Sequence, residues 1–502
     1  MSLLGIDIGT TGCKAMALSV HGSILGTAHR EYDVVRPQPG RAELDSQLVW
    51  EKIQEVIRDA AAQTAHDPIE AICVSSMGEA MTPVSRDRKI LGNCLLGFDI
   101  RGAETTARLA ELDPVLFFER SGNVVSTIYG GQKLIWLRDH RPELFEQTYK
   151  FLGWADLVAY LLGGDPVTDY SLANRSLFFD LRRQDWSPET LAYVGMPIEK
   201  LPGLVQAGTP VGAVSRPIAE QLGLRPGIKI VMGAHDQCVN AVGAGVLRPG
   251  TAAYGLGTYF CITPVYDSIP RADMMIRSKL NVEHHALPGL YVSFYYNLTG
   301  GALLKWFRDT FSSAERAAAQ AKGIDVYDQL LAEMPSEPTE LLVLPHFAPT
   351  GPPYYDDNPN GLITGLTLET TRGEFLKGLL EGAIYYFRAG LVRLAEAGIV
   401  IQECRVSGGA ARSDAWLQIM ADILGRPLSR PTITEAGSLG AAILAGVGGG
   451  VYGSAEQAVS ALVKVEKVIE PEPRRQGLYD ERFARYGLLY PFARQLSGNA
   501  KS

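Results

Sequence analysis

The sequence contains no Gly-Lys dipeptide, so it lacks the GxxxxGK[ST] loop in which a lysine directly after a glycine reaches nucleotide phosphates. It also has no run of 18 or more apolar residues, and we therefore expect no membrane span. A signal peptide is not expected, because Asp7 interrupts the first apolar stretch before a hydrophobic core could form.

Cysteine and basic charge are both scarce. The six cysteines are isolated and form no CxxC pair, which favours free thiols in a reducing cytosol over a disulfide framework or a zinc site. The 47 Lys and Arg residues face 55 Asp and Glu residues, giving a formal net charge of −8. A general nucleic-acid-binding surface is therefore not expected. These features predict a cytoplasmic protein with neither nucleic-acid nor membrane partners.

The size and composition are those of an ordinary globular protein. The chain has 502 residues, of which 46% are apolar and 20% charged, so two or three domains with sizeable cores are expected.

The pattern of apolar residues predicts an α/β fold. Residues 3–35 read as a β meander interrupted by glycine turns. An amphipathic helix follows, capped by Asp45 or Ser46, and then an apolar strand at 71–77. This meander–helix–strand order indicates layered α/β domains.

The second half of the chain repeats this order weakly. The stretch TAAYGLGTYFCIT (251–263) again places a Gly-Thr pair between two apolar runs, and a long helix (372–398) and a strand (403–409) come later. We interpret this as an internal duplication, with domains at 1–246 and 247–490, although Gly-Thr pairs also recur by chance. The polar segment after residue 470 is expected to be peripheral.

The opening stretch GIDIGTTGCKA combines a strand aspartate with a turn of glycines and threonines. Backbone N–H groups and hydroxyls in such a turn can bind phosphate oxygens. Asp7 would repel those phosphates unless Mg²⁺ lay between them, and Lys14 could add positive charge. The alternative is a plain hairpin with an exposed aspartate.

Two further segments carry residues suited to chemistry. In GAHDQCVNA, Asp236 lies between a strand and a helix, where it could be a helix N-cap or a general base; the spacing alone favours the cap. His235 is interpreted as structural, since no second metal ligand has suitable spacing. In FDIRG, Asp99 and Arg101 could bind a polyol or form a surface ion pair, and in isolation the ion pair is favoured.

Taken in order, these segments resemble the FGGY family of carbohydrate kinases, which includes xylulokinases, gluconokinases and glycerol kinases. The resemblance extends over residues 3–490. Five stretches carry it: GIDIGTTGCKA, PGRAELDSQLVW (39–50), GLGTYF, VSGGAARSDAWLQIMADILGRPL (406–428) and the following EAGSLGAAILAGVG.

The resemblance implies two actin-like (RNase H-like) ATPase domains with ATP in the cleft between them. It implies Asp236 as the catalytic base and Asp7 as the residue that holds Mg²⁺. The implied ATP-binding residues are Thr10, Thr11, Gly12, Lys14, Gly257, Thr258, Gly301, Lys305, Gly408, Gly409 and Ser413. The implied sugar-side residues are Met77, Glu79, Asp99, Arg101 and Gln237.

The sugar-side motifs depart from the well-known branches. Ser76-Met77-Gly78-Glu79 stands where xylulokinases usually carry Gln-Met-His-Gly, and Gly78 stands where glycerol kinases carry an arginine. We expect a kinase for a small sugar or polyol, with xylulokinase-like specificity first. Gluconokinase-like and glycerol- or erythritol-kinase-like specificities remain alternatives, as do an actin/Hsp70-like ATPase without a sugar substrate and a binding-only pseudokinase. The sequence leaves a homodimer open.

Overall fold

The computed structural model describes residues 1–356, 358 and 360–497. The strands, in chain order, are β1 (Ser2–Ile8), β2 (Gly12–Ser19), β3 (Ile24–Glu31), β4 (Glu43–Leu44), β5 (Ile69–Ser76), β6 (Met81–Val84), β7 (Cys94–Leu95), β8 (Lys150–Gly153), β9 (Val167–Asp169), β10 (Phe179–Asp180), β11 (Asp185–Trp186), β12 (Gly203–Val205), β13 (Pro210–Ala213), β14 (Lys229–His235), β15 (Thr251–Leu256), β16 (Phe260–Tyr266), β17 (Glu283–His284), β18 (Tyr291–Val292), β19 (Tyr295–Asn297), β20 (Leu342–Leu344), β21 (Leu362–Thr364), β22 (Glu403–Ser407), β23 (Leu428–Pro431) and β24 (Val465–Ile469).

The α-helices, in the same order, are α1 (Ser46–Ala62), α2 (Ala103–Leu109), α3 (Pro114–Ser121), α4 (Gly131–His140), α5 (Pro142–Gln147), α6 (Trp154–Leu162), α7 (Tyr170–Asn174), α8 (Pro188–Val194), α9 (Arg216–Leu222), α10 (Asp236–Gly243), α11 (Ala272–Arg277), α12 (Gly300–Phe311), α13 (Ser313–Lys322), α14 (Val326–Ala332), α15 (Arg372–Glu396), α16 (Asp414–Leu424), α17 (Ala436–Gly448), α18 (Ala455–Leu462), α19 (Pro473–Tyr486) and α20 (Leu489–Leu496).

Two large sheets organise the molecule, and they share one strand order. The first sheet runs β13-β14-β5-β1-β2-β3, with β2 antiparallel to both neighbours and β5 and β14 parallel to β1. The second runs β17-β18-β16-β15-β22-β23-β24, again with an antiparallel meander followed by two parallel strands. Each ends in an extra antiparallel strand, β13 or β24. This repetition supports the internal duplication and confirms the α/β fold class.

The amphipathic helix predicted after the first meander is α1. Asp45 is its N-cap and accepts hydrogen bonds from the backbone N–H groups of Gln47 (3.1 Å) and Leu48 (3.0 Å). Its apolar face, including Val49 and Ile53, is buried in the core of the first sheet. The helix therefore forms where its capping residue and its 3.6-residue apolar period agree.

Two helices cross between the sheets. Helix α10 contacts β15 and β16 of the second sheet, whereas α17 lies against β1 and β5 of the first. The crossing depends on glycine, because a Cβ added at Gly440 would overlap the carbonyl oxygen of Val239, and one at Gly5 would overlap that of Ser438. The two halves are thus joined by close backbone contact.

The C-terminal segment is not peripheral, contrary to the expectation from its polarity. Helix α19 packs against α16 and α15, and Tyr479 in it is fully buried. The Tyr479 hydroxyl donates a 2.9 Å hydrogen bond to the buried carboxylate of Glu381. A few well-placed buried side chains therefore anchor a segment whose average composition is polar.

The division of the chain at residues 246 and 247 stays a prediction, since α17 belongs to the second half in sequence but packs on the first sheet. Among the helices of the described chain, none combines the length and the apolar character that crossing a bilayer requires.

Candidate active site

The first glycine–threonine turn is a tight hairpin between β1 and β2. The Gly9 N–H donates to the Gly12 carbonyl at 2.9 Å, and the Tyr32 hydroxyl donates to the carbonyls of Gly9 (2.6 Å) and Gly12 (3.0 Å). Thr10 and Thr11 form the tip of the hairpin, half-buried and exposed respectively. The turn is held from below and presents its two threonines outward, as a phosphate-binding turn requires.

The second hairpin, Gly257 and Thr258 between β15 and β16, occupies the matching place in the second sheet. Its carbonyls accept hydrogen bonds from the first turn of α12, with Gly301 N–H on Gly257 (3.2 Å) and Ala302 N–H on Thr258 (3.1 Å). A Cβ at Gly301 would lie 2.5 Å from the Gly257 oxygen. Gly301 is therefore needed to bring hairpin and helix together, and Lys305 is exposed one turn further along α12.

The predicted adenine-side residues lie at the end of β22. Gly408 has φ of +89°, and a Cβ there would be 2.8 Å from the carbonyl oxygen of Leu256 in β15. Gly409 faces open space. The Ser413 hydroxyl accepts from the Trp416 N–H at 3.3 Å as the N-cap of α16, so it has a structural partner already.

Asp7 lies on β1 beside the crossing helix α17. The Ser75 hydroxyl donates to its Oδ1 at 2.8 Å, and a Cβ at Gly437 would be 2.6 Å from its Oδ2. Burial and the nearby charge of Asp236 raise the pKa of Asp7 to about 6. Lys14 forms a 2.5 Å ion pair with Glu435 just before α17. This cluster of incompletely neutralised carboxylate oxygens fits a hard divalent cation such as Mg²⁺.

Asp236 is the first residue of α10 and directly follows β14. The interpretation of Asp236 as an N-cap is wrong, because His235 occupies the cap position and no side chain makes a capping hydrogen bond there. The Gln237 amide instead donates to Asp236 Oδ1 at 3.1 Å. Burial raises the pKa of Asp236, and the charge of His235 opposes that rise. A half-buried carboxylate at a strand-to-helix junction suits a general base.

A buried array of alternating charges continues behind Asp236. His235 Nε2 lies 3.2 Å from Asp236 Oδ1, and His235 Nδ1 lies 2.8 Å from Glu283 Oε1. Arg175 contacts the second Glu283 oxygen at 3.5 Å and donates through Nε to Glu79 at 2.9 Å. Sequence reasoning missed Arg175 and Glu283, because neither stands in a recognisable motif and the array forms only when distant segments meet.

Three members of this region, His235, Cys238 and Glu283, lie close enough to hold a metal ion. Their contacts fit an ion-pair network better. Burial opposes protonation of His235, but the carboxylates of Glu283 and Asp236 raise its pKa to about 9, so the ring is a cation at neutral pH. With the Arg175 guanidinium also on Glu283, a further cation would meet two positive groups.

The turn Met77-Gly78-Glu79 brings the predicted acceptor side close to His235 and Asp236. Met77 N–H donates to the Ile8 carbonyl at 3.0 Å, directly after β5. A Cβ at Gly78 would lie 2.6 Å from Arg175 Cγ and 2.9 Å from His235 Cδ2. Met77, Glu79, Gln237 and Asp236 therefore belong to one region of the cleft.

Asp99 and Arg101 form a buried ion pair. Asp99 is 0% exposed, and its two oxygens accept from the Ala42 N–H (2.6 Å), the Arg101 N–H (2.8 Å) and the Arg101 guanidinium. Arg101 also pairs with Glu43 at 2.7 Å. The geometry argues against the predicted sugar contact of Asp99, because its lone pairs are occupied.

A cavity of about 340 Å³ opens between the two halves next to the charged array. Its walls come from residues 124–129 and Arg175 on one side and from Phe294, Tyr296 and Tyr355 on the other. The Phe294 ring also contacts the His235 ring, with centroids 5.1 Å apart. The cavity has room for a small polar molecule beside Arg175 and Phe294, both of which contact the charged array.

Comparison with known proteins places this geometry in a family. Models of the N-terminal and C-terminal domains of the FGGY family of carbohydrate kinases match residues 2–243 and 274–449, so the chain belongs to this family. It is a sugar phosphotransferase with the two-domain, actin-like fold of these kinases, which use ATP as the phosphate donor. The predicted family, fold and enzyme class are thereby confirmed.

Individual relatives have different acceptors. The chain is 28% identical to the autoinducer-2 kinase of Escherichia coli K12 over 97% of its own length and 94% of that protein. It is 29% identical to the xylulose kinase of Rhodospirillum rubrum, whose structure matches with a TM-score of 0.86 over 99% of both chains. The gluconate kinase of Lactobacillus acidophilus shares the fold, with a TM-score of 0.86 and 22% identity over 97% of both chains.

Proposed function

We propose that this enzyme transfers the γ-phosphate of ATP to a hydroxyl of a small neutral sugar or polyol, with xylulose as the first candidate and Asp236 as the general base. One observation carries the proposal. The Asp236 carboxylate lies beside the Glu79 turn and within electrostatic reach of Asp7, in a cleft framed by two matching hairpins.

The reaction demands positioning and charge neutralisation more than covalent chemistry. Asp236 would accept the proton of the attacking hydroxyl, and its raised pKa makes it a stronger base than a free carboxylate. The hairpin at Thr10 and Thr11 and the hairpin at Gly257 and Thr258 would hold the phosphates from opposite walls. Gly408 and Gly409 would leave room for the adenine ring.

Asp7 would hold Mg²⁺ at the phosphates, and the ion would neutralise part of their charge. The residues on this chain fit that role, since the Ser75 hydroxyl orients the carboxylate and the absence of a side chain at Gly437 lets α17 approach without covering it with a Cβ. Lys14 would then exchange its exposed partner Glu435 for a phosphate oxygen, because both side chains of that pair are about 40% exposed and the pair is weak.

The charge of the site favours a neutral acceptor over a sugar acid. With Lys133, whose charge acts on Glu79, and Asp7, which interacts with Asp236, the site has the four carboxylates of Asp7, Glu79, Glu283 and Asp236 against the three cations Arg175, His235 and Lys133. A carboxylate on the acceptor would add to this excess of negative charge and would be repelled. Xylulose therefore fits better than gluconate.

Autoinducer-2 is a second candidate acceptor, because relatives named for it match nearly the whole chain. An actin/Hsp70-like ATPase without a sugar substrate finds no such support, since the family models match both halves of the chain.

An acceptor panel tests the proposed function. ATP turnover is measured with pentuloses, autoinducer-2, erythritol, glycerol and gluconate, and we expect the highest kcat/KM for a neutral acceptor. ATP hydrolysis that no acceptor stimulates would contradict sugar-kinase activity, and a preference for gluconate would contradict the charge argument.

Asp236→Asn tests the assignment of the base. We expect turnover to fall by at least ~10²-fold while ATP binding, measured by calorimetry, is retained. Asp422→Asn is the control, because Asp422 is also an aspartate in an ion pair, with Arg475 at 3.1 Å, but is fully buried on α16 outside the cleft. Near-normal turnover in Asp236→Asn would contradict the role of Asp236 as the general base.

A further inference from the structure

Glu283 is a fully buried carboxylate that belongs to the second sheet yet contacts the base region of the first. It is 0% exposed at the start of β17, and its partners His235 and Arg175 are 5% and 6% exposed. A buried carboxylate is costly unless each oxygen is paired. Here one oxygen faces the His235 ring and the other faces Arg175, so each carboxylate oxygen has a charged partner.

The His235 ring is fixed on every side. Its two nitrogens face Glu283 and Asp236, the Phe294 ring meets it edge-on, and Gly78 lies close to its Cδ2 edge. The backbone N–H of His235 donates to the Ser171 hydroxyl at 2.9 Å. Nδ1 hydrogen-bonds Glu283, whereas Nε2 makes a 3.2 Å ionic contact with Asp236, so a protonated ring attracts both carboxylates.

We propose that Glu283 is a positioning residue for phosphoryl transfer, anchoring the His235 ring, which in turn holds the Asp236 carboxylate toward the acceptor. Arg175 extends the same anchor to Glu79 on the acceptor side. The inference rests on the proposed role of Asp236 as the base. Because Glu283 comes from the second sheet, the base is held correctly only when the two halves meet as they do here.

Glu283→Gln is the direct test, since it preserves shape and removes the charge. We expect kcat to fall by about 10- to 100-fold, because a small displacement of a reacting group is this costly. The KM for ATP should change little, because the contacts of Glu283 lead to Asp236 and, through Arg175, to Glu79 on the acceptor side. Glu381→Gln is the matched control: it is an equally buried glutamate in the same half, bonded to Thr339 and Tyr479, and should retain kcat.

A double-mutant cycle separates positioning from simple destabilisation. His235→Gln should lower kcat to a similar extent, and the double variant with Glu283→Gln should be no worse than either single variant, because both act through one chain of contacts. If the two losses of kcat multiply in the double variant, Glu283 does not act through His235, and the proposal is overturned. If Glu283→Gln does not fold, His235→Gln carries the test, and a normal kcat in it overturns the proposal.

The outcome is distinguishable from failure of the proposed function. If Asp236→Asn retains turnover, the base itself is wrong. If Asp236→Asn is inactive while Glu283→Gln keeps full kcat, Asp236 stands as the base and only the positioning role of Glu283 is refuted.

Discussion

Asp7 and Asp236 bring like charges into one cleft, and at the scale of single residues the balance of these charges decides the chemistry. Burial raises the pKa of both carboxylates; the charge of Asp236 raises that of Asp7 further, and the charge of Glu79 raises that of Asp236. Each carboxylate also has a neighbour that lowers its pKa. Asp7 has the Ser75 hydroxyl and, in the proposed complex, Mg²⁺. Asp236 has the His235 imidazolium, whose charge depends on Glu283.

This balance predicts a dependence on pH. The pKa of His235 rises from 6.5 to about 9, because its two carboxylate partners outweigh the cost of burial. The folded protein therefore holds this proton more tightly than the unfolded chain. Stability from the pair is fully present below about pH 6.5 and is lost as pH rises through about 9. We expect kcat and the midpoint of thermal unfolding to fall together over that range, measured in parallel from pH 6 to 10.

His235→Gln is the control for the pH dependence, because glutamine does not titrate. Its kcat should be low but flat across the alkaline range. A decline as steep as that of the unchanged protein would show that another group is responsible.

At the scale of elements, the two phosphate hairpins are equivalent in topology but are supported differently. The first is held by the Tyr32 hydroxyl, and the second by the N–H groups of Gly301 and Ala302 in α12. The position of the second hairpin therefore depends on how closely α12 can approach it.

Gly301→Ala tests this dependence. The new Cβ would lie 2.5 Å from the Gly257 oxygen, which is backbone and cannot turn aside, so hairpin and helix must separate. We expect the KM for ATP to rise about tenfold, which is ~1.4 kcal/mol of binding. Gly477→Ala on α19 is the control, since its Cβ meets nothing within 4 Å and should stabilise the helix by about 0.5–1 kcal/mol. An unchanged KM in Gly301→Ala would contradict the support from α12.

At the scale of the whole molecule, the crossing of α10 and α17 joins the halves and sets the distance between the two carboxylates. Helix α10 begins with Asp236, and α17 places Gly437 over Asp7. Small residues at the crossing bring the two helix backbones into contact, so α10 and α17 are tightly packed beneath the cleft.

Gly440→Ala tests this packing of α17 against α10. Alanine is the better helix former, so a surface helix would gain about 1 kcal/mol from this change. Here the Cβ would overlap the Val239 carbonyl, and overpacking should cost about 1–3 kcal/mol instead. We expect a lower thermal midpoint and a lower kcat, read against Gly477→Ala. A higher midpoint in Gly440→Ala would show that the helices can separate without cost.

The predicted cytoplasmic location and homodimer stay predictions. The six cysteines are all free thiols, which agrees with a reducing compartment.

The segments that could be predicted were those whose signal is local. Asp45 capping α1, the hairpin at Thr10 and Thr11, and the strand–helix junction at Asp236 follow from residue order alone. The spacing of Asp236 favoured a helix cap, and the structure places His235 in the cap position instead. The sugar-side role of Asp99 stays a prediction, and the sequence does not show that Arg101 and the Ala42 N–H donate hydrogen bonds to its oxygens.

The sequence by itself determined the α/β class, the repeated meander and the carboxylates at the strand ends, because apolar period and turn residues act over short distances. Only the tertiary structure decided which of those carboxylates are free and which are paired. Glu79, Arg175, Glu283 and His235 are separated by up to about 200 positions, and nothing in the chain order relates them. Their pairing is a property of burial, where each unpaired charge is costly and the fold must supply its partner.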